Sequence, residues 1–158
     1  MKTLLLAASA LALSQTSSAT EIVINLSEAF SEDLTETYGT READVLRYEI
    51  TKDIDGALTK AGADPARIEI TIVNAKPNRP TLEQARQTPG LDMFRSVSLG
   101  GMKLTGTAFD ADGNVLAEEA YKWFETDIRQ ASPAGTWTDA KRASDRFARR
   151  LAKQLSPE

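Results

Sequence analysis

The fold is decided by residues 97–126, which read VSLGGMKLTGTAFDADGNVLAEEAYKWFET. Two segments within this stretch, 97–109 and 115–126, are typical of long strands because they are rich in β-branched and aromatic residues. Residues 110–114 (DADGN) between them predict a hairpin turn in which Gly113 takes a positive φ. An antiparallel hairpin is therefore the starting point of a β-sheet.

Upstream of the hairpin, the spacing of apolar residues predicts two more strands and one long helix. EIVINL at 21–26 and RIEITIVN at 67–74 alternate apolar and polar residues, as half-buried strands do. Residues 41–61 between them predict an amphipathic helix that ends at Gly62. The apolar stripe of this helix consists of Leu46, Ile50, Ile54, Leu58 and Ala61. The polar, acidic segment 27–39 predicts a loop or a ragged helical turn.

Downstream of the hairpin, residues 138–155 predict a second amphipathic helix. Its inward positions are Ala140, Ala143, Phe147, Leu151 and Leu155. The order β-α-β-β-β-α predicts an α+β fold, a two-layer sandwich in which two helices cover one face of a four-stranded mixed sheet. Residues 77–96 form an insert before the hairpin that is long for a connection in a compact domain.

Composition narrows the chemistry that is open to the chain. Its 158 residues contain neither cysteine nor histidine. Disulfides, thiolate chemistry, Ser-His-Asp triads and histidine-based metal sites are therefore excluded. The formal net charge of −4 argues against a general nucleic-acid-binding protein, because such proteins need an excess of positive charge.

Residues 1–19 predict a cleavable secretory signal. Lys2 forms a short positive region, and an apolar run at 4–13 follows it. Ser17-Ser18-Ala19 then places small residues before the cleavage site. Since the apolar run is too short to span a bilayer, we expect one soluble domain, residues 20–158, in the periplasm or the secreted fraction.

A candidate ligand site lies where the second strand of the hairpin ends. Trp123, Asp127, Arg129 and, further along, Trp137 bring aromatic rings, a carboxylate and a guanidinium to a strand end and the loop after it. Aromatic faces flanked by charged groups bind sugars or peptides, and loops beside rigid strands often carry sites. In the alternative interpretation, Trp123 packs under a helix and Arg129 pairs locally.

A second candidate is a basic stripe on the final helix. Arg142, Arg146, Arg149 and Lys153 follow one another at spacings of four, three and four residues, which places them on one side of the helix. Such a stripe can contact anionic lipid headgroups, lipopolysaccharide or an acidic partner. In the alternative interpretation it is a solvated helix face whose cations favour the helix dipole.

The sequence predicts no metal site, no cofactor and no catalytic residue. The turn residues Asp110, Asp112 and Asn114 suggest calcium ligands, but a calcium-binding EF-hand loop has its glycine at the sixth position, and Gly113 is fourth. A hairpin turn is the better interpretation. The carboxylates that could pair for glycoside hydrolysis are Glu118, Glu119, Glu125 and Asp127.

Several short motifs resemble those of small secreted domains of proteobacteria with no assigned function. They are Asn78-Arg-Pro-Thr, Gly100-Gly, Asp110-Ala-Asp-Gly, Trp123-Phe-Glu-Thr-Asp-Ile-Arg and Gly135-Thr-Trp. The order of elements is similar to that of envelope domains such as the TolB amino-terminal type and small outer-membrane lipoproteins, although the chain lacks the cysteine that anchors the latter. The resemblance implies a role in the envelope and carries over no catalytic residue.

These observations predict a soluble, non-catalytic envelope protein that binds a glycan or another envelope protein. One alternative is a small glycan hydrolase that depends on carboxylates. Another is a component of a larger assembly that uses the sheet edge or the basic helix as its interface. We expect no nucleic-acid partner and no membrane span, and contact with a membrane surface would use the basic stripe.

Overall fold

The computed structural model of the chain describes residues 19–130 and 135–156. These residues form an open, four-stranded mixed sheet with helices, which confirms the predicted α+β class. The strands lie in the sheet in chain order, β1 parallel to β2 and the other two pairs antiparallel. They are β1 (Glu21–Leu26), β2 (Arg67–Lys76), β3 (Gly101–Phe109) and β4 (Val115–Phe124). Apart from Ala19, the predicted signal peptide lies outside the described residues.

Two long helices confirm the two that were expected from periodicity, α2 (Glu42–Ala61) and α4 (Thr138–Leu155). The shorter helical elements are α1 (Glu28–Asp33), a π-helical turn (Leu34–Tyr38), α3 (Leu82–Gln87) and a 3-10 turn (Ile128–Gln130). None of the helices within the described residues is long and apolar enough to cross a bilayer.

The acidic segment before α2 is more ordered than its composition suggests. The Ser27 hydroxyl caps α1 by accepting a hydrogen bond from the Phe30 amide at 3.2 Å. Phe30 and Leu34 are buried, so two apolar side chains one helical turn apart are enough to hold this segment on the core. The polar residues around them face outward and conceal the helical pattern.

The core lies between the two long helices and one face of the sheet. Six side chains on the inward faces of the predicted strands and helices are at most 1% exposed: Ile50, Ile54, Ile70, Leu104, Phe147 and Leu151. Gly106 on β3 makes room for the Phe147 ring, because a Cβ built on Gly106 would lie 2.7 Å from the ring edge. The absence of a side chain at this position therefore lets α4 approach the sheet closely.

The opposite face of the sheet, here called the outward face, is polar. Strand residues alternate, so the residues between the core positions of β2, β3 and β4 point away from the helices. Thr71 and Thr105, neighbours on β2 and β3, stand at the centre of this face and are partly exposed.

The insert between β2 and β3 is fastened to the body of the protein by Asn78. This side chain is fully buried, and its Oδ1 accepts a hydrogen bond from the Asp139 amide at 2.8 Å. Its Nδ2 donates to the Asp139 carboxylate, which also pairs with Arg142 at 3.0 Å. The backbone amide of Ser98 donates a hydrogen bond to the Asn78 carbonyl at 2.8 Å. Both ends of the insert are thus joined to each other and to the start of α4, which is why β3 begins at Gly101 and not at residue 97.

We expect Asp53→Asn to stabilise the protein at pH 7 and to lose this advantage as the pH falls. Burial beside α4 raises the pKa of Asp53, and the neighbouring Asp145 and Glu49 carboxylates raise it further. Between the ordinary aspartate pKa and the raised pKa of Asp53, the folded state binds more protons than the unfolded state does. The free energy of unfolding therefore falls as the pH rises through that range.

The measurement is urea unfolding of both proteins at pH 7 and at about pH 4. The variant should be more stable at pH 7 by up to about 1 kcal/mol, since Asp53 is only half-buried. The difference in free energy of unfolding between the two proteins should be smaller at the lower pH. An equal difference at both pH values would show that Asp53 does not titrate in this window.

Candidate functional site

Three lysines lie together on the outward face at one end of the sheet. Lys103 on β3 and Lys122 on β4 are direct cross-strand partners. Lys76 ends β2, where it pairs with Gly101, and Gly101 pairs in turn with Phe124. We call Lys76, Lys103 and Lys122 the lysine cluster. Because all three stand on strands, their backbones are held in fixed register.

The lysine cluster is not explained by its contribution to stability. Like charges placed directly opposite each other on neighbouring strands destabilise a sheet. Among the described residues, none of the three lysines forms an ion pair with a carboxylate. Lys76 instead lies 6.0 Å from the centre of the Phe124 ring, at the outer limit of a cation–π contact. Three uncompensated cations at one place attract an anion.

A shallow groove of about 600 Å³ runs over the lysine cluster. Besides the three lysines it is lined by Asn74, Phe124, Thr126 and Trp123, although the Trp123 ring itself lies on the helix face of the sheet. Ammonium, amide and hydroxyl groups donate hydrogen bonds to an anion, while aromatic rings give an apolar surface for the rest of a ligand. The groove has the composition expected of a site for an anion that carries an apolar or sugar-like part.

Charge changes sign along the outward face. The lysine end gives way to Thr71, Thr105 and Ala120 in the middle, and then to a row that contains Glu69 and Glu118. Glu69 pairs with Arg67 at 3.0 Å, whereas the lysine end holds no carboxylate in its strand rows. The positive potential is therefore concentrated at the end of the sheet from which the insert leaves.

The candidate site predicted at the end of β4 is divided by the structure into separate contacts. Asp127 and Arg129 come together as a two-pronged ion pair, with the Arg129 Nε and Nη2 atoms 3.0 and 2.9 Å from the carboxylate. The pair lowers the pKa of Asp127 and raises that of Arg129. Both groups are thus held in their charged forms and satisfy each other, as the local-pairing interpretation expects.

The two tryptophans have different partners. The Trp123 ring lies under Arg146, whose guanidinium carbon is 4.7 Å from the ring centre. Trp137 is only 2% exposed, donates from its Nε1 to Glu42 at 2.6 Å and meets the Tyr38 ring edge-on at 5.9 Å. Trp123 therefore packs under α4 on the helix face of the sheet, as the alternative interpretation expects, whereas Trp137 joins the start of α4 to the start of α2.

Three of the four residues in the predicted basic stripe also have partners within the chain. Arg142 pairs with Asp139, Arg149 pairs with Asp145, and Arg146 stacks on Trp123. The fourth, Lys153, is exposed. Carboxylates therefore compensate the charges of Arg142 and Arg149, so the stripe presents less positive charge to a ligand than its sequence indicates.

The carboxylates considered for hydrolysis are dispersed. Glu118 lies on the outward face, while Glu119 faces the helices and accepts hydrogen bonds from Arg150 and Gln154 at 2.6 and 2.7 Å. Glu125 accepts from the amides of the two residues that follow it. Among the described residues, no group of three or more acidic side chains could hold a metal ion. The Asp110 carboxylate accepts from Asn114 within the hairpin turn, which lowers its pKa.

Sequence reasoning missed the lysine cluster because it depends on strand register. Lys76 is 27 residues from Lys103 in the chain, and the bulge between Ile72 and Asn74 moves the end of β2 by one residue relative to β3. The one available signal was that Lys103 and Lys122 are placed symmetrically about the hairpin turn.

Comparison with protein-family models, with curated proteins and with solved structures finds no match for this chain.

Proposed function

We propose that the protein is a soluble, non-catalytic binding protein of the bacterial envelope whose lysine cluster holds an anionic ligand. The observation that carries this proposal is the placement, on adjacent strands of a chain whose net charge is −4, of three lysines that form no ion pair with any residue that the structure describes. An acidic protein that concentrates positive charge in one groove attracts anions there and repels them elsewhere. The predicted secretory signal supports the envelope as the place of action.

The carboxylates support binding over hydrolysis. A glycosidase needs one carboxyl group whose pKa is raised, so that it can act as an acid, and a second one beside it. Asp127, which directly follows the groove residue Thr126, has a lowered pKa because Arg129 holds it ionised. Glu119 is engaged by Arg150 and Gln154 on the helix side of the sheet.

The ligand class follows from the lining of the groove. Lysine ammonium groups act as point charges that bind phosphate, sulfate or carboxylate groups. Phe124 at the edge of the groove favours a ligand with a flat apolar or sugar face next to its charges. An anionic glycan fits both requirements.

We expect Lys103→Gln combined with Lys122→Gln to weaken binding of dextran sulfate, a soluble anionic polysaccharide, by about tenfold. Each substitution removes one exposed charge–charge contact and leaves the strand intact. Binding of the unmodified protein should also weaken as salt is added, because exposed charges are screened over about 8–10 Å. Isothermal titration calorimetry at two ionic strengths measures both effects.

The matched control is Lys52→Gln combined with Lys60→Gln, which makes the same change in net charge on exposed positions of α2. This control should bind dextran sulfate almost as well as the unmodified protein, and neutral dextran should not bind to any of them. Equal losses in the two double variants would mean that net charge, and not the lysine cluster, attracts the ligand.

A further inference from the structure

We infer that the lysine end of the sheet docks on an anionic membrane surface, with the exposed Phe94 ring of the insert entering the interface. The inference rests on the proposed function, because it assigns anionic lipid headgroups to the same lysine cluster. It adds a second, independent feature of the molecule, the apolar side chains that the insert exposes.

The insert carries an unusual share of exposed apolar surface. Phe94 is 84% exposed, although phenylalanine is among the residues most often buried in soluble proteins. Two more large apolar side chains in the segment that leads from Phe94 to β3 are exposed, Val97 and Leu99. Single exposed apolar residues are ordinary, whereas several within one short segment indicate a contact surface.

Phe94 is held outward by a well-bonded turn. The Asp92 carboxylate accepts hydrogen bonds from the amides of Phe94 and Arg95 at 2.7 and 3.0 Å. The Ser96 amide closes the turn on the Asp92 carbonyl at 2.9 Å, and the Arg79 guanidinium donates to the Phe94 carbonyl. The exposure of the ring is thus built into the turn, so little conformational entropy is lost when the ring enters a bilayer interface.

The insert that carries Phe94 leaves and rejoins the sheet at the end that holds the lysine cluster, and Arg79, three residues after Lys76, donates to the Phe94 carbonyl. Lys76 is the last residue of β2 and directly precedes the insert. The insert returns to that point, where the Ser98 hydroxyl donates to the Pro77 carbonyl at 2.6 Å. β3 then begins at Gly101 and carries Lys103 two residues later.

An anionic bilayer matches this combination better than the apolar pocket of a protein does. Arg79 and Arg95 flank the Phe94 turn, and backbone amides engage the Asp92 carboxylate within it, so cations lie beside the exposed ring as well as in the groove. Aromatic rings surrounded by lysine and arginine are typical of segments that lie at the headgroup boundary. One inserted ring and a few screened charges make such binding reversible and dependent on salt.

The test is sedimentation of the purified protein with vesicles of phosphatidylcholine that contain phosphatidylglycerol, and with vesicles of phosphatidylcholine alone. Unmodified protein should bind the anionic vesicles and not the neutral ones. Phe94→Ser should bind the anionic vesicles about tenfold more weakly, because the apolar contact is lost. It should bind dextran sulfate as before, because the lysine cluster is intact. Lys103→Gln combined with Lys122→Gln should weaken both kinds of binding.

The matched control is Leu116→Ser, which removes a 48% exposed apolar side chain from β4 at the opposite end of the sheet. It should leave vesicle binding unchanged. If the Phe94→Ser variant bound vesicles as well as the unmodified protein does, the membrane inference would be wrong. The same would follow if the unmodified protein bound dextran sulfate but no vesicles. Neither result would contradict the proposed function. Failure of the unmodified protein to bind dextran sulfate would overturn the proposed function itself.

Discussion

Replacing Phe147 with alanine should lower the free energy of unfolding by about 3–5 kcal/mol. The side chain is completely buried between α4 and the sheet, and its ring fills the space above Gly106. Truncation leaves a cavity that the neighbouring backbone cannot close, because β3 is fixed on both sides by β2 and β4. Equilibrium unfolding in urea, followed by circular dichroism, measures the change.

The control for this prediction is Phe94→Ala, since the same side chain is removed from an 84% exposed position. Surface truncations of this kind change stability by no more than about 0.5 kcal/mol. A loss below about 1 kcal/mol for Phe147→Ala would mean that α4 contributes little to the core, and the two-layer description would then be wrong.

Replacing Asn78 with alanine should destabilise the protein by about 3 kcal/mol. The substitution removes the acceptor of the Asp139 amide and the donor to the Asp139 carboxylate, and both of those groups are buried. Arg142 remains as a partner of the carboxylate, at 3.0 Å, so the charge is not left entirely uncompensated. Leaving buried polar groups without partners costs more than the hydrogen bonds themselves contribute.

Asn25→Ala serves as the control, because Asn25 is an exposed asparagine on the outer strand β1. It should change the free energy of unfolding by less than about 0.5 kcal/mol. If Asn78→Ala were as mild as this control, the insert would be joined to α4 by the backbone bonds of residues 78, 98 and 136 alone.

The spacing of apolar residues was enough to predict the strands and helices that bury one whole side against the core. The alternation of Ile68, Ile70 and Ile72 and the helical spacing of Ile50 and Ile54 each repeat several times, so sequence noise does not hide them. By contrast, α1 and the π-helical turn bury only Phe30 and Leu34 between acidic residues, and so short a pattern cannot be told from a loop.

The candidate sites were harder to predict, because they depend on partners that are distant in the chain. The pairing of Asp127 with Arg129 is local and was anticipated as an alternative. The contact between Trp137 and Glu42 joins residues that are 95 positions apart, and nothing in either segment indicates the other. The lysine cluster likewise requires the register of three strands together with the bulge near the end of β2.

An NMR titration of isotope-labelled protein with dextran sulfate tests most directly whether the lysine cluster is the ligand-binding surface. The largest changes in backbone amide shifts should occur at the lysine end of the outward face, around Asn74, Lys76, Lys103, Lys122 and Phe124. They should disappear in the Lys103→Gln, Lys122→Gln double variant. Shifts concentrated on α4 around Arg142, Arg146, Arg149 and Lys153, with the ends of β2, β3 and β4 unchanged, would contradict the account.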